Sequence, residues 1–279
     1  MSTNILFVFE GEKTENLIVK SLERHVLNNN VIIKCAFSAD IYQLYREVEA
    51  DDDLDIFNLI KERNIGNTKM LENYQRKNFA EIYLFFDYDA HASLASSVDK
   101  YGNVVKDRDE KIKEMLSFFN NETDKGKLYI SYPMVEAIRH IINYDQFDEL
   151  RVKCKGKNCP YIKDCEDKEV CLQAPHYKQL VSSESIPTLC NINGYTKETW
   201  RKLINAHLCK MNYIIYDIFV FPNNIESQLD IFKNQFNKYI CMKCPMVAVL
   251  SAFPIFVYDY YGHEKTFNIV SDEVRDAGE

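Results

Sequence analysis

Three acidic side chains stand at the ends of apolar runs in this 279-residue sequence. Glu10 closes Ile5-Leu6-Phe7-Val8-Phe9, and Asp87 and Asp89 follow Ile82-Tyr83-Leu84-Phe85-Phe86. Unbroken apolar runs of this length are the pattern of strands buried on both faces. Carboxylates displayed at such strand ends suit Mg²⁺ or Mn²⁺, hard ions that take oxygen ligands. A metal held there polarises a phosphate, orients or generates the nucleophile and stabilises the leaving oxygen. The Asp-x-Asp spacing fits this use, because residues i and i+2 of extended backbone point the same way. Gly11, directly after Glu10, lets a phosphate approach the backbone closely. The plainer use of such acids is to cap the next helix, and Glu12, Glu15 or Asp89 can do only that.

The elements around these acids alternate. The run ending at Glu10 is followed by a helical pattern over Thr14 to Leu27, with Ile18, Val19, Leu22 and Val26 on one face. Val31 to Phe37 reads as a second strand. Ile41 to Glu47, Leu54 to Arg63 and Thr68 to Lys77 read as helices. After the strand that ends at Asp87, a turn at Tyr101-Gly102-Asn103 leads to an amphipathic helix over Asp107 to Asn120. Leu128 to Ser131 is a further strand, running into Pro133 and a helix from Met134 to about Asn143. Strands separated by helical segments of roughly 10–20 residues imply an α/β fold with a mostly parallel sheet and helices on both faces. In such sheets ligands bind outside the carboxyl ends of the strands. Topology, not sequence proximity, therefore brings the acids together.

The pattern changes near residue 150, which divides residues 1–150 from a Cys-rich and mainly helical half, 151–279. Cys154, Cys159, Cys165 and Cys171 put four thiols into 18 residues of a poorly hydrophobic stretch. Four thiolates complete a tetrahedral Zn²⁺ site, which folds a segment too small for its own core; an iron–sulfur cluster and unligated thiols are the alternatives. Arg151, Lys153, Lys155, Lys157 and Lys163 lie among these cysteines with no acid between Arg151 and Lys163, as a phosphate-backbone contact or a solvated loop. Cys241-x2-Cys244 has better metal spacing, and Cys190, His207 and Cys209 are its possible partners. Cys35 sits on a strand and is expected in the core. Amphipathic helices fit Thr196 to Asn212 and Asn224 to Tyr239, before an apolar segment broken by Cys and Pro.

Lys13-Thr14 echoes the tail of a phosphate-binding loop. Glu12 occupies the place of that loop's second glycine, so nucleotide binding is not expected there, although Lys13 can still contact a scissile phosphate. His91 is a candidate for proton transfer or for surface use. Arg139 and His140 fall one helical turn beyond Glu136 and are expected to neutralise it.

A net charge of −8 and a pI near 5.4 provide no whole-chain basic field to recruit nucleic acid. That argues against a simple nucleic-acid-binding module but not against a metal-dependent nuclease, whose acids are neutralised by cations. Met246 to Tyr260 is the most apolar run, and Pro254 and Asp259 break it, so no membrane span is expected. No secretory signal is visible at Met1 to Lys13. Nine cysteines without an export signal are expected to be reduced or metal-bound, in the cytoplasm.

Phe7-Val8-Phe9-Glu10-Gly11-Glu12-Lys13-Thr14-Glu15, then Phe85-Phe86-Asp87-Tyr88-Asp89-Ala90-His91, then the segment from Tyr129 to His140 occur in that order. Together they resemble the TOPRIM (topoisomerase–primase) fold, in the variety found in bacterial antiphage and abortive-infection nucleases of the RloB, overcoming-lysogenization-defect and PARIS-effector type. The resemblance covers about residues 4–143, half the chain. It implies that Glu10, Asp87 and Asp89 bind divalent metal and carry phosphodiester chemistry. It adds Glu15, from a Thr-Glu pair at Thr14-Glu15, and Glu136, from a Ser-x-Pro-x-x-Glu pattern at Ser131, Pro133 and Glu136. It also implies an effector of antiphage defence controlled by an ATPase of the ABC or SMC type. DNA and structured RNA, transfer RNA among them, remain open as substrates, and a homodimer is allowed for. A housekeeping TOPRIM RNA maturase and a non-catalytic TOPRIM scaffold that docks an ATPase are the alternatives.

Overall fold

A computed structural model describes residues 3–27, 31–38, 41–51, 53–88, 108–153, 169, 176–242 and 245–271. The chain divides into two compact units, one formed by residues 1–87 and 114–130 and the other by residues 88–113 and 131–279. The compositional boundary near residue 150 thus falls inside the second unit.

The α/β pattern read from the sequence is present. Strands β1 (Thr3–Phe9), β2 (Val31–Phe37), β3 (Glu81–Asp87), β4 (Asn120–Asn121) and β5 (Gly126–Ser131) form one sheet in the order β2-β1-β3-β5-β4. The central strand β1 runs parallel to both β2 and β3, while β4 and β5 are antiparallel. Helices α1 (Lys13–His25), α2 (Ile41–Ala50), α3 (Ile56–Glu62), α4 (Ile65–Met70) and α5 (Arg108–Phe118) flank it. Residues Ile5 to Phe9 are all but inaccessible to solvent, as an unbroken apolar run demands of a strand covered on both faces. Near the carboxyl ends of the strands an aromatic row crosses the sheet. Phe9 meets Phe37 at 6.4 Å and Phe85 at 5.4 Å between ring centroids, and Phe85 stacks on Tyr129 at 5.5 Å. Such cross-strand pairs hold the register of the strands they join.

Several helices differ from the periodicity. In place of one helix over Thr68 to Lys77, α4 begins at Ile65, where the Asn64 side chain accepts a hydrogen bond from Asn67 N at 2.8 Å. A new 3-10 turn (Arg76–Asn78) then starts on a reciprocal Gln75/Asn78 cap. A polar cap three residues ahead of an apolar pattern outweighs the pattern in setting a helix start. Asn67 is itself buried and ties Ile60 O and both backbone groups of Phe37, which fixes the end of β2.

The helix expected from Met134 to Asn143 is only a 3-10 segment, Val135–Arg139. Asn143 begins the next segment instead, accepting from Asp145 N at 3.0 Å and opening a second 3-10 stretch, Tyr144–Glu149. The second unit continues with β6 (Arg151–Lys153), α6 (Tyr177–Glu184), α7 (Lys197–Tyr216) and α8 (Gln228–Gln235), the last running into a π turn at Phe236–Ile240. The closing apolar segment forms β7 (Met246–Ala248), antiparallel to β6, and α9 (Ala252–Ser271). Pro254 fits the first turn of α9, where its missing N–H has no helical acceptor to lose. Gly262, at φ +77°, interrupts that helix with backbone a side chain rarely tolerates. Among the described residues no helix is long and apolar enough to cross a membrane.

Candidate metal centre

Glu10 and Asp87 are carried to the same end of adjacent strands. Phe9 pairs with Phe85 in the β1–β3 ladder, so Glu10 lies one residue beyond the register and Asp87 two. With strands about 4.8 Å apart and a rise of about 3.3 Å per residue, their Cα atoms lie on the order of 6 Å from each other. Backbone positions at that spacing are close enough for carboxylates turned toward each other to share one ion or a bridged pair. Asp87 is half-buried as the last residue of β3 and follows the face of Phe85 by strand alternation. Glu10 is exposed and sits in a bend after β1, where the pleat no longer dictates its direction.

Glu15 stands close to the loop that follows Glu10. It lies in the first turn of α1 and is only 8% exposed. The Glu12 side chain makes no capping hydrogen bond, and a carboxylate in the first helical turn is favoured by the helix dipole. The Glu15 carboxylate lies directly over Gly11: a Cβ built there would stand 2.7 Å from Oε1 and 3.1 Å from Oε2. Glycine at position 11 is therefore a seat for that carboxylate. Gly11→Ala is expected to displace Glu15 and weaken Mn²⁺ binding by about tenfold, in the range seen when support for a ligand is removed. Calorimetric titration of the variant measures it; unchanged affinity would show that the seat has no bearing on metal. Lys13, the first residue of α1, is exposed at the same helix terminus. Asp89 and His91 lie outside the described residues.

Glu136 belongs to the second unit. It is 2% exposed, its Oε1 stands 3.4 Å from Lys178 Nζ, and its Oε2 has no hydrogen-bond partner among the described residues. The expected neutralisation by Arg139 and His140 does not occur, because both side chains are taken by other partners of the second unit. Arg139 reaches Cys190 O at 3.5 Å. His140 meets the Tyr177 hydroxyl at 3.0 Å through Nδ1 and faces Glu184 at 3.6 Å through Nε2. The hydroxyl of Ser131 accepts from Ala252 N at 3.3 Å, capping α9.

The cysteine candidates divide. Cys154, Cys159, Cys165 and Cys171 lie outside the described residues, as do Lys155, Lys157, Lys163 and Cys244. His207 is corrected from possible ligand to core residue. It is wholly buried, its Nδ1 accepts from Ser251 N at 3.1 Å, and its Nε2 faces Ile138 O at 3.4 Å. With both ring nitrogens committed to backbone, it has no lone pair for a metal. Cys209 is buried on α7, whereas Cys241 is exposed. Cys35 is partly buried, and burial pushes its thiol up to about 12, the inert state of a strand cysteine. Among the described residues no group of three or more His, Cys, Asp or Glu is arranged to hold a metal. Arg151 is exposed on β6 with its guanidinium 5.2 Å from the Tyr239 ring centroid, and Lys153 ends the same strand.

Two buried polar residues escaped sequence reasoning. Lys210, on α7, donates to Phe147 O at 2.8 Å, to Leu150 O at 3.0 Å and to Asp148 O, closing the end of the 3-10 stretch Tyr144–Glu149. Asp109, 4% exposed, accepts from the Tyr88 hydroxyl at 2.8 Å. A charged residue on an amphipathic helix signals solvent by default, so neither had a sequence cue. Comparison with known proteins finds no matching family model, no matching curated protein and no matching solved structure.

Proposed function

We propose that this chain is a TOPRIM-type, metal-dependent nuclease that hydrolyses nucleic-acid phosphodiesters in the cytoplasm. The observation that carries the reading is the placement of Glu10 and Asp87 at the ends of adjacent parallel strands, with the Glu15 carboxylate seated over the intervening Gly11. The donors are all carboxylate oxygens, the set that hard divalent ions select, so the residues present fit Mg²⁺ or Mn²⁺. Glu10 and Asp87 hold the ion, with Asp89 as the partner that the Asp-x-Asp spacing supplies. Glu15 orients the site from α1, and Glu136, in the second unit, is a further acid only by the resemblance. A divalent ion bound there supplies Lewis acidity toward the phosphate and the attacking water. The exposed ammonium of Lys13, beside the amide groups that open α1, attracts a phosphate oxygen.

The −8 net charge leaves backbone binding to local cations. Arg151, Lys153, Lys155 and Lys157 are the set proposed for it, next to a zinc site of Cys154, Cys159, Cys165 and Cys171. Elemental analysis is expected to return about one zinc per chain, as four thiolates hold one ion, and to lose it in Cys154→Ser. A chain without zinc would remove that site. We further propose that the nuclease is a toxic effector of antiphage defence restrained by an ABC- or SMC-type ATPase. Its absent nucleotide loop suits control by a separate ATPase. Mn²⁺ titration of wild type and Asp87→Ala, with cleavage assays on phage DNA, transfer RNA and ribosomal precursors, tests the whole reading. A scaffold would bind little metal and lose nothing on mutation, and a maturase would prefer the ribosomal precursor.

A further inference from the structure

Tyr88, which separates the two acids of Asp87-Tyr88-Asp89, is held by polar as well as apolar contacts. Tyr88 is fully buried. Its N–H donates to Ser131 O at 2.9 Å, and its ring lies 5.6 Å from that of Tyr132 and 6.1 Å from that of Phe232 between centroids. Its hydroxyl donates to Asp109 Oδ1 at 2.8 Å. Tyr132, the neighbouring phenol, leaves its own hydroxyl without a partner among the described residues, so Tyr88 is the phenol that serves Asp109. Burial and the charge of Asp109 raise the pKa of Tyr132, which keeps that second phenol neutral.

A phenylalanine would fill the same space and make the same ring contacts. The hydroxyl is needed because a carboxylate only 4% exposed must be given donors. Asp109 in turn sits in the first turn of α5, where the helix dipole favours its charge. The hydrogen bond thus spans 21 positions and joins the residue after Asp87 to the opening of α5.

We infer that Tyr88 and Asp109 form a buried clasp that positions Asp87 for metal binding. Both are positioning residues that touch neither metal nor substrate, and the inference rests on the nuclease reading above. The clasp fixes the peptide that follows Asp87, and with it the direction in which that carboxylate is presented.

The test is Mn²⁺ calorimetry on the full chain at 25 °C, with thermal melting of each variant alongside. Tyr88→Phe and Asp109→Ala remove the bond from opposite sides, and each is expected to weaken Mn²⁺ binding about tenfold or more, as loss of a ligand-orienting partner does. Asp109→Asn keeps an acceptor oxygen for the Tyr88 hydroxyl and is expected to stay within about threefold of wild type. A residue that merely supported the fold would lower the melting temperature without moving the affinity of the folded protein. If Asp87→Ala loses Mn²⁺ while Tyr88→Phe and Asp109→Ala bind as wild type does, the clasp is overturned and the nuclease reading stands. An Asn variant as damaged as the Ala variant also overturns it. If Asp87→Ala binds Mn²⁺ undiminished, the nuclease reading fails and the clasp with it. Should one loss variant not fold, the other decides, since the two approach the same bond from separate elements.

Discussion

Glu10→Ala and Asp87→Ala are each expected to abolish metal-dependent cleavage while the protein stays folded. Glu10 is exposed and Asp87 half-buried, and both sit beyond the apolar part of their strands, so neither supports the core. Surface substitutions of that kind usually change stability by less than about 0.5 kcal/mol. Their effect on the site is far larger. Removing a residue that only orients a metal ligand costs about 10–100-fold, so removing a direct ligand is expected to cost more than about 100-fold in rate. It is also expected to lower Mn²⁺ affinity in parallel. Cleavage assays at fixed Mn²⁺, with circular dichroism as the folding control, make the comparison. Cleavage that survives in either variant would sink the mechanism, because both acids are proposed as direct ligands of the ion.

The second large effect is on stability in acid, and it comes from two buried histidines in the second unit. Burial lowers His207 to about 3, helped by the nearby Lys210 charge, and lowers His140 to about 4. An unfolded chain returns both to about 6.5. The folded state therefore binds fewer protons than the unfolded state between those limits, and stability falls as pH drops below about 6.5. Above that value the contribution is fully present. At pH 5 each histidine costs about 2 kcal/mol, or about 4 kcal/mol together, against a total stability of 5–15 kcal/mol for a typical protein. Urea unfolding at pH 7 and pH 5 measures the loss. His207→Gln keeps a donor and an acceptor for Ile138 O and Ser251 N but cannot charge, so about half of the pH 5 loss is expected to disappear. An unchanged pH dependence would mean that His207 does not govern it.

Local order was plain from the residues alone. The apolar runs Ile5 to Phe9 and Ile82 to Phe86 became buried strands because backbone hydrogen bonding and burial on both faces leave such a run few alternatives. The amphipathic spacing of Ile18, Val19 and Leu22 placed α1, and the alternation of strands and helices implied parallel neighbours. From this followed the prediction that acids far apart in sequence end adjacent strands, and Glu10 and Asp87 do so. Helix limits were less legible where side-chain caps compete with periodicity, as at Asn64 and Asn143.

What the sequence determined by itself, then, was the kind of fold and the strand ends that carry acids, because both depend on short-range periodicity. Only the tertiary structure decided the partners of polar groups. His207 was one possible partner for Cys241 and Cys244 until both its nitrogens were taken by backbone from remote segments, and Arg139 and His140 were expected to neutralise Glu136 until packing gave them Cys190, Tyr177 and Glu184 instead. Glu15 was found over Gly11, and Tyr88 on Asp109, in the same way. A buried polar atom takes whichever donor or acceptor packing brings within about 3 Å, and that choice is made across the fold, beyond the reach of any local spacing rule.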